Sequence, residues 1–138
     1  MTRLVFDASV LVKLLMREPA SEEALALYEA SEAIVPDWAY IECCHGLWKK
    51  QQRGGIDADQ LRESLSALVL LNLDAHESLP LLEHATELAI LLNHPVYDCL
   101  YLALAVAEEC AVVTCDAKLV GAAREAELGG RVKLLGTP

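Results

Sequence analysis

The sequence predicts an α/β protein with a three-layer α/β/α arrangement, in which helices cover both faces of a central, mostly parallel sheet of about five strands. Two observations predict this class. Short apolar stretches alternate along the chain with longer segments of helical periodicity, an order typical of parallel strands joined by crossover helices. Acidic residues also follow two of the predicted strands, and such sheets bind ligands beyond the carboxyl ends of their strands.

In the first half of the chain, strands and helices alternate from the amino terminus. The predicted elements are a strand at Leu4 to Phe6, helices at Ser9 to Met16 and from Ser21, a strand at Ala33 to Val35, and a helix from Pro36 to about Arg53. Ser21 and Asp37 are expected to be the amino-terminal caps of their helices. The pair Gly54-Gly55 is expected to end the last of these helices.

The second half of the chain continues the alternation. Its predicted elements are a helix from Asp57, a brief strand near Leu71 to Leu73, helices at Glu77 to Leu92 and from Pro95, a strand at Ala111 to Thr114, a helix at Ala117 to Glu127, and a strand at Arg131 to Leu135. Right-handed crossovers would place the carboxyl ends of all strands along one edge of the sheet.

The length of 138 residues predicts one domain, residues 1–138, with a single hydrophobic core. Its longest strongly apolar run, Cys99 to Ala107, is much shorter than the about 20 residues that cross a bilayer. The amino terminus lacks the apolar segment and cleavage site of a signal peptide. We therefore expect a cytoplasmic protein without a membrane partner.

Four acids, Asp7, Glu42, Asp98 and Asp116, are the candidate functional residues. Asp7 and Asp116 follow predicted strands, Glu42 lies on an amphipathic helix, and Asp98 lies near the start of an apolar helix. If they share one crevice, each pair about 6 Å apart repels by roughly 3 kcal/mol at an effective dielectric of about 20. We therefore expect a hard divalent cation to hold them together.

Each acid also has a structural role that the sequence leaves open. Asp7 and Asp116 could cap the helices that follow them, and Asp98 could interact with the dipole of its own helix. Glu42 could belong to a solvent-facing stripe.

Two hydroxyl residues stand beside the acids in sequence. Ser9 could donate a hydrogen bond to Asp7 or to a metal-bound water, or be an ordinary residue of a first helical turn. Thr114 is expected to orient Asp116 through a hydrogen bond.

Four segments that contain the acids, FDASVLVKLL, VPDWAYIE, YDCLYLALA and VVTCDAKLV, resemble in order and approximate spacing the PIN-domain family of metal-dependent ribonucleases. Within that family the chain is similar to the small VapC-type toxins of prokaryotic toxin–antitoxin pairs. The resemblance implies that the first and fourth strands are neighbours. It also implies that the four acids are direct or water-mediated metal ligands and that water cuts single-stranded RNA by in-line attack. A carboxylate site of this kind prefers Mg²⁺ or Mn²⁺.

The helix of Glu42 supplies candidate RNA contacts. Helical spacing places Gly46, Lys49 and Arg53 on one stripe with Glu42, where the glycine could admit a phosphate backbone and the two cations could hold it. Trp38, one turn before Glu42, is a candidate for base stacking.

The net charge of −10 is the main argument against a nucleic-acid binder, because such proteins gain affinity from positive charge. The charge suits a basic partner instead, and the resemblance implies a small antitoxin whose basic segment enters the acidic cleft. The family likeness also implies a homodimer, for which the apolar stretches Leu25 to Tyr28 and Leu61 to Leu71 are candidate surfaces.

Two other functions remain open. An aspartyl-phosphate phosphatase carries a second acid two residues after its nucleophile, and that position here is Ser9. A non-catalytic interaction module would keep the fold without binding metal.

The cysteines and histidines show no metal-binding spacing. The five cysteines are expected to be reduced thiols in or near the core. The four histidines, His45, His76, His84 and His94, are expected to be surface or turn residues and not ligands.

Overall fold

Five strands form the central sheet of the computed structural model, which describes residues 1–136. The strands are β1 (Thr2–Phe6), β2 (Ser31–Pro36), β3 (Asp74–His76), β4 (Ala111–Thr114) and β5 (Val132–Leu134). Their order is β3-β2-β1-β4-β5, and every neighbouring pair is parallel. The predicted α/β class and the expected adjacency of the first and fourth strands are confirmed.

Seven α-helices connect these strands within the described residues. They are α1 (Ala8–Leu15), α2 (Ser21–Ala30), α3 (Trp38–Gln52), α4 (Ala58–Leu70), α5 (Leu82–Leu92), α6 (Val96–Ala107) and α7 (Ala117–Glu125). The sheet extends from β1 in both directions, so right-handed crossovers place α1 to α4 on one face and α5 to α7 on the other. The packing agrees, because α1 contacts α2 and α3 while α5 contacts α6.

The core lies between the sheet and the helices that cover it. Strand β1 contributes the fully buried Val5 and Phe6, and every residue of α6 from Cys99 to Ala105 is buried. That burial explains why the sequence of α6 is apolar on all sides. The five cysteines are free, as expected, with Cys43 and Cys99 buried in the core.

One of the two predicted helix caps is wrong, and the other is confirmed for the position of its residue but not for a capping bond from its side chain. Ala20, in a left-handed conformation with φ of 70°, occupies the cap position of α2, and Ser21 is the first helical residue. The Ser21 hydroxyl instead accepts a hydrogen bond from the Glu18 N–H, which closes the turn before the helix. Asp37 does precede α3, but its carboxylate accepts hydrogen bonds from the backbone N–H and the hydroxyl of Ser78.

Two predicted boundaries also shift. The third strand lies at Asp74–His76 and not at Leu71 to Leu73, because the two leucines pack against the core from the preceding loop while the edge strand itself is largely exposed. The helix expected from Glu77 begins as a 3₁₀ turn at Leu79–Leu81, which contains a proline, and becomes α-helical only at Leu82.

A single domain over residues 1–138 stays a prediction, and its last two residues lie outside the described part. Within residues 1–136 no helix alone has the length and apolar character needed to cross a membrane. The segments Leu79–Leu92 and Val96–Ala107, bent by 113° at their junction, meet that requirement together by length and composition only.

Candidate functional site

The site lies where the order of the strands reverses. Strands β1 and β4 pair side by side, with Phe6 opposite Val113, and the Asp7 N–H continues the pairing by donating to the Val113 carbonyl at 3.1 Å. The chain leaves β1 toward β2 and leaves β4 toward β5, on opposite sides of this pair. Asp7 and Asp116 therefore both come to the switch point, where open α/β sheets bind ligands.

Two hydroxyl groups hold the Asp7 carboxylate. Its Oδ2 accepts hydrogen bonds from Ser9 Oγ at 2.8 Å and from Thr114 Oγ1 at 2.6 Å. The same hydroxyls also accept hydrogen bonds from the loop after β4. The Cys115 N–H donates to Ser9 Oγ and the Asp116 N–H donates to Thr114 Oγ1, both at 3.1 Å. Thr114 thus orients the carboxylate of Asp7 and the backbone of Asp116, whereas the sequence assigned it to the Asp116 side chain.

Asp7 is 6% exposed, and its burial raises the pKa of its carboxyl above the ordinary value. The hydrogen bonds from Thr114 and Ser9 act against that rise, and the charge of Asp98 adds to it. Within residues 1–136 the side chain makes no capping hydrogen bond to α1. The helix-cap alternative therefore does not account for the position of this acid.

Asp116 both caps a helix and faces the site. Its Oδ1 accepts from the backbone N–H groups of Lys118 at 3.0 Å and Leu119 at 3.3 Å, which caps α7. Its Oδ2 lies 3.1 Å from Nε2 of His94. The two oxygens serve different purposes, so the cap and the site are not alternatives.

His94 is one of the residues of the site that the sequence prediction missed. It follows Asn93, whose left-handed conformation turns the chain after α5, and its side chain is 10% exposed. Its Nε2 lies 3.0 Å from Oδ2 of Asp98, and the ligand atoms of His94, Asp98 and Asp116 all lie within 4.8 Å of one another. His94 does lie in the turn after α5, as expected, but its contacts also make it a candidate ligand, which the sequence prediction did not include. The signal in the sequence was its spacing of four residues from Asp98.

Glu42 approaches from α3 and meets α6. Tyr101, fully buried in α6, donates a hydrogen bond from its hydroxyl to Glu42 Oε1 at 2.5 Å. Burial, together with the charges of Asp7 and Asp98, raises the pKa of Glu42 to about 7 although the Tyr101 bond opposes the rise. Burial and the nearby acids also raise the pKa of the Tyr101 phenol.

Electrostatic coupling links all four acids. Burial raises the pKa of Asp98, the charge and hydrogen bond of His94 lower it, and the charge of Asp116 raises it again. Asp98 in turn acts on Asp7 and Glu42. The crowding expected from the sequence is present, and a cation between these carboxylates would relieve it.

An open cavity of about 680 Å³ lies in front of Asp7 and Glu42. Gly46 and Lys49 of the predicted stripe line this cavity, but Arg53 lies beside a second cavity with Arg17 and Lys50. The two predicted cations of the stripe, Lys49 and Arg53, therefore line different cavities.

Trp38 also lines the larger cavity, where its ring stacks on Tyr97 with centroids 6.1 Å apart and planes at 16°. Tyr97 is 55% exposed, so it covers Trp38 and presents an aromatic surface of its own. The sequence prediction missed Tyr97, which precedes Asp98 directly.

Residues 4–125 match the sequence model of the PIN domain. The chain belongs to the PIN-domain family. Ribonuclease VapC3 of Pyrobaculum aerophilum is 35% identical to this PIN-domain protein over 106 residues, which cover 75% of this chain and 81% of the relative.

Solved structures support the PIN fold. PAE2754 from Pyrobaculum aerophilum superposes with a TM-score of 0.70 at 20% identity, over 88% of this chain and 84% of the other. VapBC2 from Rickettsia felis, solved with a DNA fragment from the promoter, superposes with a TM-score of 0.68 at 14% identity, over 97% of this chain and 99% of the other. A toxin–antitoxin complex from Klebsiella pneumoniae superposes with a TM-score of 0.63 at 18% identity, over 85% of this chain and 89% of the other.

Proposed function

We propose that this PIN-domain protein is a metal-dependent endoribonuclease that cleaves single-stranded RNA, and that it acts as the toxin of a toxin–antitoxin pair. The observation that carries the proposal is the set of four coupled acids at the switch point of the sheet. The name of the Pyrobaculum aerophilum relative, a ribonuclease, supports RNA as the substrate.

The donor atoms fit a divalent cation. Asp7, Asp98, Asp116 and Glu42 would hold it directly or through water, and His94 adds a nitrogen donor to this set. When bound, such an ion lowers the pKa of a water molecule and offsets negative charge on the scissile phosphate. Carboxylates suit Mg²⁺ and Mn²⁺ alike, but Mn²⁺ accepts an imidazole nitrogen more readily than the harder Mg²⁺ does, so we propose Mn²⁺ as the tighter of these two ions.

The protein residues keep the acids in place and move protons. Ser9 and Thr114 fix Asp7, and the cap of α7 fixes Asp116. Tyr101 holds Glu42 through Oε1, which leaves Oε2 to accept a proton from the attacking water.

The large cavity would receive the RNA next to the acids. Lys49 would contact a phosphate, and Gly46 leaves room for the backbone. A base would stack on the pair formed by Trp38 and Tyr97, of which Tyr97 offers the more exposed ring.

A small antitoxin is the proposed protein partner. With a pI of about 4.7, the chain would attract a basic segment of such a partner into its acidic cleft. The complex from Klebsiella pneumoniae, which shares the fold, is itself a toxin–antitoxin assembly. A homodimer and a cytoplasmic location stay predictions. Of the two expected dimer surfaces, the one on α4 exposes Val69 and Leu70 most strongly.

The two alternative functions have less support. The residue two positions after Asp7 is Ser9, whose hydroxyl is bonded to Asp7, so the second acid of an aspartyl-phosphate enzyme is replaced by a hydrogen-bond donor. A non-catalytic module would have no use for four acids with coupled ionisation, and it would show no metal-dependent change in stability.

A cleavage assay tests the proposed function. Purified protein should cut single-stranded RNA in Mn²⁺ or Mg²⁺, and a chelator should stop the reaction. Asp7→Asn should reduce the rate by orders of magnitude, because the substitution removes a charge from the site and keeps the shape of the side chain. Asp37→Asn is a matched control, since Asp37 is an exposed acid bonded to Ser78. Equal cleavage by Asp7→Asn and the unmodified protein contradicts the proposal.

A further inference from the structure

Positive charge is concentrated in one place on this acidic chain. Five of the 11 lysine and arginine residues lie on α1, on α3 or directly after them: Lys13, Arg17, Lys49, Lys50 and Arg53. The net charge of −10 therefore conceals a local excess of cations beside the candidate site.

Helices α1 and α3 run in the same direction and in register. A Cβ atom added at Gly46 would lie 3.6 Å from Val12, and further along the helices the side chain of Lys50 reaches Glu18, just after α1. The cations therefore follow the helix ends that point away from Asp7. At a rise of about 1.5 Å per residue, Arg53 lies roughly 16 Å along the α3 axis from Glu42.

A second cavity of about 310 Å³ opens between these helix ends, and Arg17, Lys50 and Arg53 contribute to its lining. Glu18 pairs with Lys50 and, at 3.4 Å, with Lys13, which ties the loop after α1 to α3. Arg17 and Arg53 are exposed and form no ion pair within residues 1–136. Two guanidinium groups are thus left available at the rim.

We propose that this second cavity binds the phosphate backbone of the RNA strand outside the position of cleavage, with Arg17 and Arg53 as its ligands. The inference rests on the proposed ribonuclease function and extends it. Lys49, which lines the larger cavity, and Lys50, which lines the smaller, are consecutive residues of α3, so both cavities adjoin the same part of this helix and one strand would extend from the acids to the arginines. Arginine suits phosphate because its planar group donates two parallel hydrogen bonds.

This site explains how an acidic protein holds an anionic strand. The metal-binding acids contribute no attraction of their own to RNA. Each phosphate that a cation neutralises releases condensed counterions, which makes the affinity depend on salt with a slope of about −0.7 per contact on single strands. A pair of arginines therefore contributes a slope of about −1.4 that can be measured separately from cleavage.

The test is RNA binding by Arg17→Gln combined with Arg53→Gln. Binding of a fluorescent single-stranded RNA is measured by anisotropy over a range of salt concentrations in a chelator, where the proposed reaction does not proceed. The dissociation constant should rise, and the plot of log affinity against log salt should flatten by about 1.4. Arg124→Gln combined with Lys133→Gln removes two exposed cations from α7 and β5 and should leave the slope nearly unchanged.

Equal salt slopes for the two double variants overturn the proposal. The arginines would then bind an acidic protein segment or contribute only to the overall charge. If the variant with Arg17→Gln and Arg53→Gln melts at a lower temperature than the unmodified protein, the variant with Arg17→Lys and Arg53→Lys gives the second measurement. This pair keeps the charge and should keep the slope, while binding more weakly because it loses the bidentate geometry. If the salt slopes behave as expected but the protein does not cleave RNA in the presence of metal, the result contradicts the proposed ribonuclease function and leaves the phosphate-binding proposal standing.

Discussion

At the scale of single residues, the site depends on side chains that have both structural and electrostatic roles. The Asp116 carboxylate divides its oxygens between the α7 cap and the acidic cluster. Glu42 accepts from the buried Tyr101 and is destabilised as an anion by its acidic neighbours. Such residues respond to substitution in two separable ways, which makes paired variants informative.

Asp116→Asn should separate the two roles of that acid. Asparagine keeps an oxygen for the α7 cap but removes one of the repelling charges, so the metal-free variant should melt higher than the unmodified protein. It should gain little stability from added Mn²⁺. Asp116→Ala loses the cap as well, at a cost of about 1 kcal/mol, and should melt below Asp116→Asn. Thermal melts with and without metal distinguish these outcomes, and a full metal response in Asp116→Asn excludes a ligand role.

Glu42 should make the metal-free protein less stable as pH rises. Its pKa is about 7 in the folded protein against an ordinary 4.5, so between these values the folded state holds a proton that the unfolded chain has released. Stability is therefore lost as pH rises from about 4.5 to about 7, and the loss is complete above about 7.

Glu42→Gln isolates this effect, because glutamine keeps an acceptor for Tyr101 but does not ionise. Chemical denaturation in a chelator should show the variant gaining stability over the unmodified protein as pH rises from about 5 to about 8. A stability difference that does not vary with pH would show that Glu42 ionises as an ordinary surface acid.

The sequence identified the acids but not the residues that control them. Asp7 and Asp116 could be predicted because Asp7 follows an apolar strand directly and Asp116 follows another after one residue, a purely local signal. Tyr101 lies 59 residues from Glu42, so their hydrogen bond depends on how α3 meets α6 across the sheet. His94 was missed because a histidine beside a proline in a turn is ordinary, and its meaning depends on Asp116, which lies 22 residues away.

At the scale of elements, the parallel contact between α1 and α3 organises the face that carries the candidate site. Gly46 lies at the middle of this contact, opposite Val12, and also lines the larger cavity. The existence and order of the helices followed from periodicity, but their register did not, because side chains distant in sequence determine it. The same reason explains the shift of β3, whose position depends on pairing with β2 and not on its own apolar content.

Gly46→Ala tests both the packing of Gly46 against Val12 and its place in the lining of the larger cavity. The new Cβ would meet Val12 at 3.6 Å, an ordinary van der Waals contact, and replacing a glycine inside a helix favours folding by up to about 1 kcal/mol. The variant should therefore melt higher. If the open space at Gly46 admits the RNA backbone, RNA affinity should fall at the same time.

Gly121→Ala provides the matched control for this pair of effects. Gly121 lies within α7, and an added Cβ there has no heavy atom of the described residues within 4 Å, so stability should rise without a change in RNA affinity. Higher stability with unaltered RNA affinity in Gly46→Ala would mean that the RNA does not pass this point of α3.

At the scale of the whole molecule, charge is separated into an acidic site and a cationic region beside it. Composition gives only the sum, so the net charge of −10 argued against RNA binding. The separation arises because Lys13 and Arg17 meet Lys50 and Arg53 only after α1 packs on α3. Folding, and not composition, therefore decides where an anionic strand would bind.

Metal binding should stabilise the entire fold, since the acids come from the end of β1, from α3 and α6, and from the loop after β4. An ion that binds only the folded state stabilises it by about 2.7 kcal/mol at a hundredfold excess over its dissociation constant. Titrating Mn²⁺ during thermal melts should therefore raise the melting temperature by several degrees. Asp7→Asn should suppress most of this rise, and an unchanged rise would place the ion elsewhere.

The preference between ions tests His94. If its imidazole is a ligand, the unmodified protein should bind Mn²⁺ more tightly than Mg²⁺ by calorimetry, because Mn²⁺ accepts a nitrogen donor more readily than the harder Mg²⁺ does. His94→Asn should then lose most of its Mn²⁺ affinity while its Mg²⁺ affinity changes little. If His94 instead only hydrogen-bonds to Asp98 and Asp116, its removal leaves two carboxylates with more repulsion to relieve. Both ions would then bind His94→Asn more tightly than the unmodified protein, so the direction of the change decides between ligand and hydrogen-bond partner.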